Sequence, residues 1–246
     1  MEIKNGKELL NGLFVIDDNA KCGATSNVIK AHSKFWGKDI AVKYPNEEFM
    51  TSNLQDFLKE CRIWVELDAH PYIIQCHFAG MIENDTPMLF LEWCNGSSLK
   101  EMIDRGTLYE GTVNEQQERI LSIAIQSLIG IEYAHKNKII HKDIKPGNIM
   151  VTAEGMAKIT DFGSAAAKEN SYTTEYCSPE QLLDGIATES SDVFSWAVTC
   201  IEMFKGKCGW DTGKEISTYS LGFLLNESSV KYFIRVNVTL PSSMIP

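Results

Sequence analysis

Three side chains in the stretch IIHKDIKPGNIMV, residues 139–151, could carry out chemistry together. A carboxylate (Asp143), an ammonium (Lys145) and an amide (Asn148) lie in a short loop with proline and glycine, between two apolar runs. A carboxylate can orient a hydroxyl and accept its proton, and an ammonium can offset a developing negative charge. The alternative is a solvated turn between two strands, so the interpretation depends on the rest of the chain.

Further candidate residues follow a fixed order along the chain. Ala41-Val42-Lys43 end an apolar run that predicts a strand, and Glu60 lies on the predicted helix after it. Asp161-Phe162-Gly163 follow the loop, and Ser178-Pro179-Glu180 come later. Taken alone, the lysine and Glu60 could be an ordinary surface ion pair contributing about 0–1 kcal/mol. The joint order of the motifs therefore carries the interpretation.

Taken together, these motifs resemble those of the eukaryotic-type protein kinase family. HKDIKPGN corresponds to the catalytic loop, DFG is intact, AVK matches the lysine motif of the third strand, and SPE takes the APE position. The resemblance runs from about residue 13 to residue 210. Lys145, two residues after Asp143, resembles the serine/threonine branch rather than the tyrosine branch.

The resemblance implies ATP as phosphate donor and Mg²⁺, or Mn²⁺, as cofactor. Phosphoryl transfer needs little covalent help, so the site has to position its reactants and offset negative charge. Asp143 would orient the attacking hydroxyl, and Lys145 would reach the γ-phosphate. Lys43, aimed by Glu60, would bind the α- and β-phosphates. The metal ligands implied are Asn148 and Asp161.

The same resemblance implies an adenine pocket. Leu91 takes the gatekeeper position, and the backbone of the hinge that follows it would bind adenine. The nucleotide-binding residues implied in this way are Gly23, Val28, Ala41, Lys43, Leu91, Glu92, Trp93, Cys94 and Met150. Of the family's glycine-rich loop, which falls on residues 21–28, only Gly23 is present. Since glycines let backbone approach phosphates, we expect a stiffer loop and weaker or slower nucleotide handling.

Other positions are implied to support the site. Thr173 matches the threonine that hydrogen-bonds the catalytic aspartate and lysine, and Asp192 matches the aspartate that holds the catalytic loop. A hydrophobic spine would join Trp64, Cys76, His141 and Phe162. Candidate phosphosites in the activation segment are Ser171, Tyr172 and Thr174, although hydroxyls in such a loop are often merely solvated. Lys142 replaces the arginine that forks onto an activation-loop phosphate, which argues against activation by phosphorylation there.

The predicted elements place these residues in two parts, an α+β arrangement with a bilobal kinase-like fold. Residues 1–94 would form an N-lobe with a five-stranded sheet and one helix, spanning about residues 47–67. Residues 95–246 would form a mainly helical C-lobe in which short strands, IIH and IMV, flank the catalytic loop. Ligand pockets favour the seam between two such parts.

The end of the chain departs from the family pattern. The family normally continues through further helices, including an arginine that pairs with the glutamate equivalent to Glu180. We therefore expect the fold to be truncated at its C-terminus, as a fragment of a longer protein or a minimal kinase. An apolar surface near residues 223–238 could then receive a partner or a missing C-terminal segment.

Composition narrows the function classes. The 246 residues are 44% hydrophobic and 23% charged, with a net charge of −10, which disfavours nucleic acid as a partner. The longest apolar run, residues 193–204, contains Glu202 and is too short to span a membrane. Seven scattered cysteines without a CxxC pair predict reduced thiols and a cytoplasmic protein.

The favoured function is an ATP-dependent serine/threonine protein kinase, whose partner is a protein substrate. The alternative is a pseudokinase or nucleotide-binding scaffold with little turnover, suggested by the reduced glycine loop and the short C-terminus. A kinase for a small molecule is less favoured, because the SPE segment and Thr173 resemble a protein-substrate platform.

Overall fold

The N-terminal part of the chain forms an antiparallel β-sheet in the computed structural model, which describes residues 6–17, 21–22, 25–82, 85–167 and 172–208. Its strands are β1 (Glu8–Leu9), β2 (Phe14–Ile16), β3 (Lys21–Cys22), β4 (Ser26–Ser33), β5 (Lys38–Pro45), β6 (Cys76–Ile82) and β7 (Thr86–Glu92). They run in the order β1-β2-β4-β5-β7-β6, and β3 pairs with β4.

Among the described residues the sheet has seven strands, where five were expected. The two additions, β1 and β3, are two residues long, so neither can show the alternation that identifies a strand from sequence. β1 returns onto β2 through Leu10, Asn11 and Gly12, all of which have positive φ angles. A left-handed turn at two non-glycine residues carries no clear sequence signal.

The alternation of side chains along β5 determines the face of the sheet to which Lys43 points. Successive side chains of a strand point to opposite faces, and every residue from Ile40 to Tyr44 is buried. Ile40 and Val42 belong to one apolar cluster, and Ala41 belongs to the other, which includes residues of the long helix that packs on the sheet. Lys43 therefore points to the same side as Ala41, toward that helix.

The predicted helix over residues 47–67 is divided in two. The short α1 (Glu47–Ser52) is capped by Asn46, whose side chain accepts a hydrogen bond of 2.8 Å from Phe49 N. After Asn53 the chain continues as α2 (Leu54–Glu66). The face of α2 that packs inward consists of Phe57, Glu60, Cys61 and Trp64, at the spacing of a helix.

The C-terminal part is mainly helical, as the sequence predicted. Its helices are α3 (Leu99–Arg105), α4 (Val113–Lys136), α5 (Gly163–Ala166), α6 (Pro179–Asp184) and α7 (Glu189–Lys205). Ser98 and Thr112 form capping boxes at the starts of α3 and α4, and Gly206 ends α7 in the left-handed conformation. Three short strands form a second sheet in the order β10-β9-β8, namely β8 (Ser97–Ser98), β9 (Ile149–Val151) and β10 (Ala157–Ile159).

The two parts are joined by the chain and by backbone hydrogen bonds. The chain passes from β7 to β8 at residues 93–96, and the expected boundary at residue 94 lies in this link. Elsewhere, Ile74 N donates to Ile159 O and Ile159 N donates to Tyr72 O, both at 2.9 Å. Residues 72–74, which lead into the first sheet, are therefore attached to β10 of the second.

Within the ranges that the structure describes, none of the helices has the length and apolar character needed to cross a membrane.

Candidate active site

The catalytic-loop residues are held by Asp192 of α7. This carboxylate is buried and accepts hydrogen bonds from the backbone N–H groups of His141 and Lys142, each at 2.8 Å. His135 Nε2 lies 2.8 Å from the same side chain. Residues 139–141 do not form the predicted strand, because the N–H of His141 goes to Asp192 and that of Ile139 goes to Ala134 O.

Asp143 is the centre of a compact polar group. Its Oδ2 lies 2.7 Å from Lys145 Nζ and accepts from Asn148 Nδ2 at 3.1 Å, and its Oδ1 accepts from Thr173 N at 2.9 Å. Lys145 Nζ also donates to Thr173 Oγ1 at 2.6 Å. The expected contacts of Thr173 with the aspartate and the lysine are thus present, and they attach the activation segment to the catalytic loop.

Lys43 connects two carboxylates from other elements. Its Nζ lies 2.5 Å from Glu60 Oε1 on α2 and 2.8 Å from Asp161 Oδ1. Trp64 Nε1 also donates to Glu60 at 3.2 Å. Lysine and glutamate are almost fully buried, so each needs its charged partner.

The pKa values in this group follow from that geometry. Burial lowers the pKa of Lys43, but attraction to Asp161 and Glu60 outweighs it and holds the pKa above its usual value. The Lys43 ammonium lowers the pKa of Asp161 from 3.8 to about 2. Burial raises the pKa of Glu60, and Lys43 opposes that shift. At neutral pH, Lys43 and Asp161 are therefore both charged.

Asp161 and Phe162 hold this part of the activation segment against α2. Asp161 has a φ of +66°. The ring of Phe162 packs edge-on against Trp64, with ring centres 5.0 Å apart, and at a tilt of 51° against His141, with ring centres 4.9 Å apart. A Cβ at Gly163 would lie 3.2 Å from Asp161 Oδ1 and 3.3 Å from Glu60 Oε2. His141 thus lies in the apolar core, as the resemblance implied.

A cavity of about 380 Å³ opens between the two parts of the molecule. One end is apolar and the other carries charged and amide groups. Its lining consists of Ser26, Val28, Ala41, Lys43, Trp64, Ile74, Leu91, Glu92, Trp93, Cys94, Gly96, Glu101, Gly147, Asn148, Met150, Thr160 and Asp161. A flat apolar base fits one end, and phosphates with a divalent cation fit the other, because oxygen ligands and an ammonium lie there.

The structure brings most of the predicted nucleotide residues into this cavity. Those that line it are Val28, Ala41, Lys43, Leu91, Glu92, Trp93, Cys94 and Met150, together with the predicted metal ligands Asn148 and Asp161. Gly23 and Ser171 lie outside the described residues. The cavity is also lined by Ser26, Gly96 and Glu101, which sequence reasoning did not place there. The spacing of Ser98 and Glu101 is that of a capping box, and this local signal could have placed Glu101 at the start of α3.

The activation segment has further attachments. Lys142 Nζ donates to the carbonyl oxygens of Ala165 and Ala167 at 3.3 and 3.5 Å. In the family an arginine pairs with the glutamate at the position of Glu180; here Ser191 Oγ donates a hydrogen bond to Glu180 Oε1 at 2.7 Å. This serine lies near the start of α7, next to Asp192, so the packing of α7 supplies this contact.

The candidate phosphosites differ in accessibility. Thr174 is exposed, and its hydroxyl donates to Glu175 at 3.2 Å. Tyr172 is half-buried. Both remain predictions as modification sites.

Comparisons with known proteins indicate the family of the chain. The sequence matches the family described as "Protein kinase domain" over residues 22–241. It is 31% identical over 235 residues to the serine/threonine-protein kinase PrkC of Bacillus subtilis, covering 90% of this chain and 34% of that protein. It is 30% identical over 221 residues to a probable serine/threonine-protein kinase of Clostridium acetobutylicum, covering 85% and 32%. The chain thus spans about a third of the length of these relatives.

A solved structure shares the fold. The kinase domain of Mycobacterium tuberculosis PknI, a point mutant, superimposes with a TM-score of 0.66 at 20% identity, covering 86% of this chain and 80% of that chain. Since the family match extends over most of the chain, the chain belongs to the protein kinase family.

Proposed function

We propose that this chain is an ATP-dependent protein kinase that transfers the γ-phosphate of ATP to a serine or threonine hydroxyl of a protein substrate. One observation carries the proposal. The Lys43 ammonium contacts both Glu60 and Asp161, while Asp143 contacts Lys145, Asn148 and Thr173. The cluster around Lys43 and the cluster around Asp143, which phosphoryl transfer both requires, are thus present together in one conformation.

Different residues of the chain have different roles in this phosphoryl transfer. The substrate hydroxyl attacks the γ-phosphorus, the bond to the ADP oxygen breaks, and the hydroxyl proton passes to Asp143. Lys145, next to Asp143, neutralises negative charge on the transferred group. Lys43 holds the α- and β-phosphates. Asp161 and Asn148 would hold Mg²⁺ or Mn²⁺, which would supply further charge neutralisation when bound.

The apolar end of the cavity supports adenine binding. Val28 and Ala41 lie on neighbouring strands of the first sheet, and Met150 belongs to β9 of the second. The hinge residues Glu92, Trp93 and Cys94 would offer backbone groups to the base edge. Leu91, with 5% of its surface exposed, would close the pocket behind the base.

The pseudokinase alternative receives no support. A scaffold needs nucleotide or partner binding but not the proton acceptor, and here Asp143 keeps its full set of contacts. The reduced glycine loop remains the reason to expect slow turnover. We also propose a cytoplasmic location, because six of the cysteines are free thiols, namely Cys61, Cys76, Cys94, Cys177, Cys200 and Cys208.

The test is incubation with ATP and Mg²⁺, followed by mass spectrometry of the chain itself and of general protein substrates. Asp143→Asn removes the proton acceptor, so we expect phosphate incorporation to fall by about 10²–10⁴-fold with the fold retained. Asp104→Asn is the matched control, because this exposed carboxylate pairs only with Lys100 on α3 in the described contacts. Equal activity of Asp143→Asn and the unsubstituted chain would refute the proposal.

A further inference from the structure

An ion pair behind the hinge has no role in the proposed phosphoryl transfer. Lys158 of β10 and Glu92 at the end of β7 are 66 residues apart, and Lys158 Nζ donates to Glu92 Oε2 at 3.0 Å. The lysine side chain is only 11% exposed. Because a lysine so removed from water needs a charge partner, Glu92 is held where Lys158 lies.

Glu92 is also attached to the segment before β6. The same Oε2 accepts from Gln75 N at 3.1 Å, and Glu92 N donates to Gln75 O at 2.8 Å. Side chain and backbone of this hinge residue are therefore both fixed to Gln75. Two donors on one carboxylate oxygen leave the side chain little freedom to rotate.

The segment and β10 complete a closed set of contacts. Ile74, next to Gln75, donates to Ile159 O, and Ile159 N donates to Tyr72 O. Ile159 adjoins Lys158, and two residues later the chain reaches Asp161. Hydrogen bonds thus connect the hinge with residues 72–75 and with β10. The chain leads from β10 directly to the charged end of the cavity.

We propose that Lys158 is a positioning residue for nucleotide binding: it holds the Glu92 side chain and so fixes the orientation of the hinge backbone that receives adenine. The inference rests on the proposed function, since it assumes that a nucleotide occupies the cavity. Lys158 does not line that cavity. Its effect therefore passes through Glu92, and binding of nucleotide is affected more than the transfer step.

The test compares Lys158→Met with the unsubstituted chain in two measurements, the Kd of ADP with Mg²⁺ by calorimetry and the steady-state kinetics with ATP. Loss of one charge-assisted hydrogen bond that preorganises the hinge should raise the Kd of ADP and the KM for ATP about fivefold to tenfold. The kcat and the KM for protein substrate should change by less than about twofold. Lys158→Arg, which keeps the charge and the donor, should restore most of the affinity.

Lys136→Met is the matched control. Lys136 forms an i,i+4 pair with Glu132 on the surface of α4, with 69% of its side chain exposed, so its loss should leave the Kd and the KM unchanged. If Lys158→Met does not fold, Lys158→Gln takes its place with the same expected result. An unchanged Kd and KM, or a fall in kcat alone, overturns the inference. If the unsubstituted chain binds no ADP, the proposed function fails and the inference fails with it.

Discussion

At the scale of single residues, the site depends on charged side chains that are positioned by ion pairs with one another. Lys43 is buried against Glu60 and contacts Asp161, which comes from a segment 118 residues further along the chain. Its ammonium is therefore the one link, among the described contacts, between α2 and the DFG aspartate. Asp161 differs from Glu60 in exposure, since 49% of its side chain is accessible. The two carboxylates should accordingly respond differently to pH.

The lowered pKa of Asp161 predicts a measurable dependence of stability on pH. A carboxyl whose pKa falls from 3.8 to about 2 on folding stabilises the fold above pH 4, and this contribution is lost as the pH falls toward 2. Because the side chain is half-exposed, we expect only about 1 kcal/mol from it. Urea unfolding at pH 5 and pH 2.5 should show that the unsubstituted chain loses about 1 kcal/mol more than Asp161→Asn. Equal losses in the two proteins would contradict the assigned shift.

At the scale of elements, sequence reasoning succeeded where the signal is local. The AVK strand, the helix with Glu60 and the DFG turn are each identified by neighbouring residues, and they meet in space as the motifs implied. It failed where backbone groups bond to a side chain that is distant in the sequence and not to a neighbouring strand. Residues 139–141 were predicted as a strand from their apolar character, but their backbone is held by a carboxylate in α7.

The Lys158–Glu92 pair shows the same limit within the candidate site. The motifs identify Glu92 only as a hinge residue, and nothing local in the sequence indicates that β10, with Lys158, approaches the end of β7. The two elements approach each other where residues 72–74 are hydrogen-bonded to β10. Contacts formed by two distant elements and stabilised by a third cannot be obtained from spacing in one sequence.

The role of α7 in holding the catalytic loop can be tested at Asp192. Asp192→Asn keeps the size of the side chain but replaces an acceptor oxygen with an NH₂ donor, which would face a backbone N–H. We expect the free energy of unfolding to fall by about 1–3 kcal/mol, because a buried donor is left without an acceptor. We also expect kcat to fall, since residues 141 and 142 directly precede Asp143.

The control for this prediction is Asp184→Asn at the end of α6, where the carboxylate is exposed. Its unfolding free energy should change by less than about 0.5 kcal/mol. Chemical denaturation of both variants gives the comparison. Asp192→Asn with unchanged stability and activity would show that α7 does not hold the loop through this side chain.

At the scale of the whole molecule, the two parts share one continuous core. The larger apolar cluster includes Ala41 of the first sheet, Trp64 of α2, Ile149 of β9 and Cys200 of α7. The parts are therefore packed together beneath the cavity as well as linked by the hinge. Any change in the geometry of the link should consequently affect both stability and the shape of the cavity.

Gly96 is the position in the link where this can be tested. A Cβ there would lie 1.8 Å from Val151 O, so Gly96→Ala forces the link and β9 apart. Such overpacking typically costs about 1–3 kcal/mol, and we expect that loss in the free energy of unfolding. Since Gly96 and Met150 both line the cavity, the Kd of ADP should rise as well. Gly80→Ala is the control, because the nearest atom to its Cβ would be Ile82 Cδ1 at an ordinary 3.7 Å. If the two alanine variants unfold at the same denaturant concentration and bind ADP equally, the close approach of the link to β9 does not determine how the two parts are joined.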